Sequence, residues 1–314
     1  MLERAAISRR SFADDVQYGL TQPQKELQPW YFYDGLGSAL FAAICELPEY
    51  YLTRAETEIL QRNASAIVGA FGTVDRVIEL GSGDGRKTRL LLEPIAKPFT
   101  YVPIDVDASV LEASARELLS SFPAMQVDAI CADYREIATL IAPAPRTVVL
   151  FLGSSIGNLD PTSAATMLRQ IRSILTPGNS IFLGADLQKS KEIIEPAYND
   201  SLGVTASFNL NLLARINREL GGRFDLASFE HRAFFNERES RIEMHLVSRR
   251  KQSVAIDGLQ MNVEFEEGET IHTENSYKYR ESDLQMLARE SGFEIDQIWT
   301  DSRSWFADAL LVAR

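Results

Sequence analysis

The chain has 314 residues, and its 32 Lys and Arg against 44 Asp and Glu leave a formal charge of −12. That balance argues against a nucleic-acid binder, which carries a basic stripe where this chain has only the short run Arg249, Arg250, Lys251. It also disfavours an anionic lipid surface, no apolar run approaches a membrane span, and a small-molecule substrate is the expected partner. The oligomeric state is not readable from the sequence.

Two cysteines, Cys45 and Cys131, sit in apolar stretches and are expected to be buried thiols. They cannot build a disulfide framework or a Cys/His metal cluster, so no metal ligand is assigned. The start, Met1 to Phe12, is charged and lacks the apolar core of a secretory signal, which points to a cytoplasmic protein.

Residues 1–30 are polar with weak periodicity. Tyr31-Phe32-Tyr33-Asp34-Gly35 precedes a helical pattern over Ser38–Cys45, which Leu47-Pro48-Glu49-Tyr50-Tyr51 breaks. A second helix is predicted from about Thr53 to Phe71. From Arg76 the rhythm changes. Strands are predicted at 77–80, 101–105, 127–130, 148–152 and 181–184, with helices near 87–96, 108–121 and 162–175. Asp160 is the candidate N-cap of the last of these, with Pro161 at its first position. Alternating strands and helices imply a parallel sheet covered on both faces. After Asp186 the alternation stops. Two helices are expected in 188–220 and amphipathic strands in 224–272, followed by a helix at 281–291 and strands at 293–300 and 307–312. The predicted organisation is a doubly wound α/β domain of residues 1–187 and 279–314, with an α+β domain of 188–278 inserted before the last strands.

The strongest chemical signal is Val77-Ile78-Glu79-Leu80-Gly81-Ser82-Gly83-Asp84-Gly85, a strand running into a glycine turn and then a helix. Glycines allow the sharp turn and a close approach of backbone to ligand. The next strand ends in Asp105, placed to hold two ribose hydroxyls, and the third in Asp133-Tyr134, an acid and a ring that can address an adenine. A dinucleotide fingerprint would put its third glycine at residue 86, which is Arg. The layout from about 76 to 186 resembles the class I S-adenosylmethionine-dependent methyltransferases, whose Rossmann-like sheet ends with an antiparallel strand that Ala307–Val312 can supply. Lys87 is then a candidate for the carboxylate of the cofactor's methionine tail. Phe151-Leu152-Gly153-Ser154-Ser155-Ile156-Gly157-Asn158 follows the fourth strand, where a doubly wound fold binds its ligand.

The segments around Tyr33, Pro48–Arg54, Gly81–Arg89, Phe151–Asn158, Ala197–Asp200, Gly203–Asn209, Arg241–Met244 and Thr273–Ser276 together resemble the histidine-specific Nα-methyltransferases of the ergothioneine pathway, over essentially the whole chain. The resemblance implies successive transfer of three methyl groups from S-adenosylmethionine to the α-amine of L-histidine, giving hercynine. It assigns Tyr33, Gly81, Lys87, Asp105, Asp133 and Tyr134 to the cofactor. It assigns Tyr50, Gly153, Asn158, Tyr198, Met244, Glu274 and Ser276 to the substrate. Tyr50 and Asn158 are the catalytic candidates at the amino and carboxylate end, with Tyr198 on the carboxylate and Tyr50 either accepting a proton or only orienting the amine. Glu274 and Ser276 would bind the imidazole and Met244 would line its pocket. An Nα-methyltransferase for another amino acid such as tryptophan is the alternative, and Glu274 with Met244 is what discriminates against it. No motif contains His231, His245 or His272, which are read as structural or exposed.

Overall fold

The computed structural model describes residues 11–314. The polar segment Met1–Arg10, most of the stretch read as not being a secretory leader, lies outside the described residues. Among the described residues the chain divides into two compact units: unit 1 takes Leu52–Gln188 and Tyr277–Arg314, and unit 2 takes residues 11–51 together with Lys189–Ser276. In chain order, unit 2 opens with α1 (Phe12–Leu20), β1 (Lys25–Glu26) and α2 (Gly35–Glu46). Next come α3 (Tyr51–Ala70), β2 (Arg76–Leu80), α4 (Arg86–Leu92), β3 (Thr100–Asp105), α5 (Ala108–Ser121), β4 (Gln126–Val127), β5 (Ile130–Cys131), α6 (Ile137–Leu140), β6 (Thr147–Phe151), α7 (Pro161–Ser173) and β7 (Ser180–Asp186). Then follow α8 (Lys191–Ile194), α9 (Val204–Leu220), β8 (Phe229–Asn236), β9 (Arg241–Ser248), β10 (Gln252–Ile256), β11 (Met261–Phe265) and β12 (Thr270–Tyr277). The chain closes with α10 (Glu281–Glu290), β13 (Phe293–Thr300) and β14 (Phe306–Ala313).

The sheet of unit 1 has the order β13-β14-β7-β6-β2-β3-β4, with β5 also pairing β3. β2, β3, β6 and β7 are parallel, whereas β14 runs antiparallel between β7 and β13. This is the Rossmann-like order expected of the sequence, including the inserted antiparallel strand. Strands β6 and β7 are buried at every residue, as strands covered on both faces must be. Chain order reverses between β2 and β6, so the carboxyl ends of β2, β3 and β6 flank a topological switch point. Asp160 caps α7 by accepting from the Thr162 and Ser163 amides, with Pro161 in the first turn.

The buried ion pair Lys278–Asp186, at 2.7 Å with both side chains 0% exposed, joins the end of β7 to the residue after β12. The Tyr279 amide donates to Asp186 O at 2.9 Å beside it. The two ends of the inserted segment are therefore fastened within unit 1.

Unit 2 departs from the expected boundaries, because residues up to Tyr51 pack with the inserted segment rather than with the first domain. β1 pairs parallel with β12, Lys25 opposite Ile271, and Phe32 stacks on Phe208 of α9 at 4.4 Å. These are contacts between residues far apart in sequence, which no local pattern encodes. Helix α1 falls where only weak periodicity was read. Its signal is the capping box of Ser11 and Asp14. Cys45 and Cys131, expected to be buried, are half-buried.

Candidate functional site

Within unit 1 the glycine turn leaves the carboxyl end of β2 with Gly81, Gly83 and Gly85 at φ of 69°, 51° and 71°. A side chain at Gly81 would stand 3.6 Å from the Tyr134 ring and fill the space between turn and ring. Tyr134 is fixed edge-on to Phe151 at 5.4 Å, and burial pushes its hydroxyl up to about 12. Asp105, at the end of β3, accepts the Gly83 amide on Oδ2 and the Asp107 amide on Oδ1, both at 3.0 Å. Burial raises its pKa, opposed by those amide bonds. Ser82 Oγ is buried with no hydrogen-bond partner among the described residues. A strand-end carboxylate, a glycine-rich turn, a ring across from it and an orphaned hydroxyl fit a nucleoside-bearing cofactor.

Asp133 caps the short turn that follows it, accepting the Arg135 amide at 2.9 Å, and its carboxylate also takes the Arg135 guanidinium. The charge of Asp133 is therefore largely neutralised within the protein.

Lys87 has a partner the sequence did not reveal. Its Nζ donates to Glu56 Oε2 at 2.5 Å, while Glu56 Oε1 accepts the Gly153 amide at 2.8 Å. Glu56 is wholly buried on α3, and Gly184 admits it, since a Cβ at Gly184 would lie 2.4 Å from Oε1. Asp308 on β14 lies beside the same glycine, with neither carboxylate oxygen hydrogen-bonded among the described residues. Burial, reinforced by the Glu56 charge, holds Asp308 well above the ordinary carboxylate range. Lys87 and Glu56 thus form a partly buried ion pair beside Gly153, with the carboxyl of Asp308 next to it. A readable signal was available, since Glu56 shares the buried stripe of Leu52, Ala55, Ile59 and Leu60, and Asp308 interrupts an apolar strand. Asn158 ends the short turn after β6, half-buried.

Within unit 2 the structure gathers tyrosines. Tyr50 lies 6.1 Å from Phe41 and 6.3 Å from Tyr198, ring centre to ring centre, and Tyr33 lies 5.6 Å from Phe41. The Tyr198 hydroxyl and Ser276 Oγ are 2.7 Å apart. Burial lifts the Tyr50 pKa well above 10, with Tyr198, Cys45, Tyr33 and Glu274 adding to the shift. Tyr50 is thus neutral at physiological pH. Tyr198 is held by the turn before Asp200, whose carboxylate accepts the Val204 and Thr205 amides at the start of α9. Met244 is buried on β9, and its carbonyl accepts the Thr273 hydroxyl of β12 at 3.0 Å.

Of the candidate residues, the structure brings together Gly81, Asp105 and Tyr134 in unit 1, and Lys87 with Gly153. In unit 2 it brings together Tyr33, Tyr50, Tyr198, Glu274 and Ser276. Tyr33, expected at the cofactor, belongs to unit 2, while Gly153 and Asn158, expected at the substrate, belong to unit 1. The three histidines are partnered rather than exposed. His231 sits between Asn209 and the Tyr198 carbonyl, and His245 and His272 stand beside Glu243.

Residues 12–313 match the family described as histidine-specific methyltransferase, SAM-dependent. The chain is 42% identical over 301 residues to the histidine N-alpha-methyltransferase of Mycolicibacterium smegmatis, covering 95% of this chain and 94% of that one. It is 42% identical over 299 residues to the protein of the same name in Mycobacterium tuberculosis, covering 94% and 93%. Among solved structures it resembles the PH0226 protein of Pyrococcus horikoshii at a TM-score of 0.50 and 14% identity, over 87% of this chain and 98% of that one, a likeness of fold alone.

Proposed function

The chain belongs to the family of histidine-specific, S-adenosylmethionine-dependent methyltransferases, and from that premise we propose that it trimethylates the α-amine of L-histidine to hercynine, the first step of ergothioneine biosynthesis. The observation that carries the reading is the family match over residues 12–313. Within it, the glycine turn and the tyrosine cluster are intact. We place the protein in the cytoplasm, in accord with a sequence of only two cysteines, too few for a disulfide framework. Among the described residues no helix is long and apolar enough to cross a membrane.

When bound, S-adenosylmethionine supplies a methyl group on a sulfonium, an electrophile that needs no further activation. The chain's part is to place a neutral amine and keep its lone pair free. Asp105 would hold the ribose hydroxyls, with Gly81 and Tyr134 framing the nucleoside and Asp133 addressing the adenine. Tyr33 and Lys87 complete the cofactor set, although Lys87 already shares its charge with Glu56. Tyr50 and Asn158 would address the amine and carboxylate, with Gly153 opposite the substrate backbone and Tyr198 on the carboxylate. Because burial keeps its phenol protonated, Tyr50 orients the amine as a hydrogen-bond partner rather than accepting a proton as a phenolate. Glu274 and Ser276 would hold the imidazole and Met244 would line the ring. A carboxylate has no matching donor pair on an aliphatic or phenyl side chain, which favours histidine.

The test is mass spectrometry of products after incubation with S-adenosylmethionine and each of the twenty amino acids. Trimethylated histidine as the dominant product is expected. Unmodified histidine alongside a methylated different amino acid would overturn the substrate assignment.

A further inference from the structure

The four-stranded sheet of unit 2 places β12 next to β9, and β9 next to β8. Glu243 and His245 stand two residues apart on β9, so their side chains leave the same face. His272 reaches that face from β12, its ring 4.9 Å from the ring of His245 and inclined by 30°. One donor atom from each of the three residues lies within 4.8 Å of the other two. Phe234 of β8 stacks on His245 at 5.6 Å and 14°, an apolar wall on one side.

The carboxylate is aimed. Glu243 Oε1 accepts from Asn236 Nδ2 and Arg241 Nε, each at 2.9 Å, while Oε2 faces His245 Nε2 at 3.2 Å. His245 is 9% exposed, and its Nδ1 is buried without a hydrogen-bond partner among the described residues. Such an atom calls for a reason. The substrate reading does not use any of the three side chains.

We propose that Glu243, His245 and His272 form a binding site for a divalent transition-metal ion of the zinc type. Two imidazole nitrogens and one carboxylate oxygen suit zinc, cobalt, nickel or copper, and do not suit magnesium or calcium, which take oxygen ligands. Three protein ligands leave one position of a tetrahedron for water. At zinc–nitrogen distances of about 2.0–2.1 Å the donors must draw in to roughly 3.4 Å apart. That closure competes with the contacts of His272 Nε2 to the Glu274 carbonyl at 3.1 Å and Asn275 Oδ1 at 3.0 Å. Arg241 and Asn236 then act as the outer partners that orient a ligating carboxylate. The charges facing the site include Arg232, which acts on His245 through space, so the ion must outcompete two nearby guanidinium groups. An ion here would tie β9 to β12, the strand that carries Glu274 and Ser276.

The test uses the full, tag-free chain after chelator treatment, titrated with Zn²⁺ by calorimetry and with Co²⁺ by visible absorption. One ion per chain is expected, with a cobalt spectrum of low-symmetry nitrogen and oxygen coordination. His245→Ala and His272→Gln should each weaken Zn²⁺ binding at least roughly tenfold, on the scale seen when coordination shells are damaged. His231→Gln, which removes the remaining histidine, should leave it unchanged. Circular dichroism establishes that each variant is folded, and His272, partly exposed, carries the test should His245→Ala fail to fold. No binding of either ion overturns the proposal, as does equal weakening by His231→Gln or undiminished binding in folded His272→Gln.

Discussion

Glu79→Gln is expected to flatten the fall in stability of the protein between about pH 4.5 and 7. Glu79 is the penultimate residue of β2, followed by Leu80 and the glycine turn, 3% exposed, accepting the Thr88 hydroxyl at 2.5 Å and the Tyr101 hydroxyl. Burial dominates its titration, opposed by those two hydrogen bonds and by Lys87, and brings the carboxyl from 4.5 to about 7. A carboxyl raised on folding binds more protons in the native chain than in the unfolded one over that window. Its contribution is therefore fully present below about 4.5 and is lost as the pH rises through about 7. At about 1.4 kcal/mol per unit, a shift of 2.5 units amounts to about 3 kcal/mol. Glutamine keeps the volume and the acceptor oxygen but cannot ionise. The assay is urea denaturation of both proteins without cofactor, in steps from about pH 5 to pH 8. Wild type should lose up to about 3 kcal/mol more than the variant across that range. Asp105 and Asp308, also raised, push the same way in both proteins, so only the difference isolates Glu79. Parallel pH profiles would refute the reasoning, because Glu79 would then titrate alike in the folded and unfolded chains.

Asp105→Ala should weaken S-adenosylmethionine binding by about 1.5–3 kcal/mol, the worth of a hydrogen bond to a charged group, or about 10- to 150-fold. Calorimetry on the folded variant checks it, and unchanged affinity would remove Asp105 from the ribose. Glu274→Ala should lower histidine affinity by a similar factor while leaving cofactor affinity intact, and should shift competition toward bulkier apolar amino acids such as tryptophan. Retained histidine preference would show that Glu274 is not the specificity residue. Lys278→Ala should cost about 3–5 kcal/mol in thermal unfolding by stranding the buried Asp186 carboxylate, with Lys278→Met/Asp186→Asn recovering part of the loss. Melting unchanged by Lys278→Ala would contradict a buried, compensated pair.

The sequence by itself determined most elements of the doubly wound sheet and the glycine turn at its edge. The strand predicted at 293–300 and the helices at 108–121 and 281–291 match β13, α5 and α10 to within a residue. Their signals are local: apolar period, caps and turns all lie within a few residues of one another. The glycine turn with Asp105 and Tyr134 was legible for the same reason, since in a parallel sheet successive strand ends are carried to one edge. The substrate candidates of unit 2 came from motif resemblance, because nothing in the spacing of Tyr50, Tyr198 and Ser276 says that they meet.

Tertiary structure alone decided the rest. It assigned the N-terminal segment to unit 2 through the β1–β12 pairing and the stacking of Phe32 on Phe208. It gave Lys87 the buried partner Glu56, fastened Asp186 to Lys278, and set Glu243, His245 and His272 together on one sheet face. Each of these joins residues separated by tens to hundreds of positions. The cost of burying a polar group is fixed by the residue type. Which group compensates it depends on the path of the chain through space, and a local reading of the sequence does not contain that path.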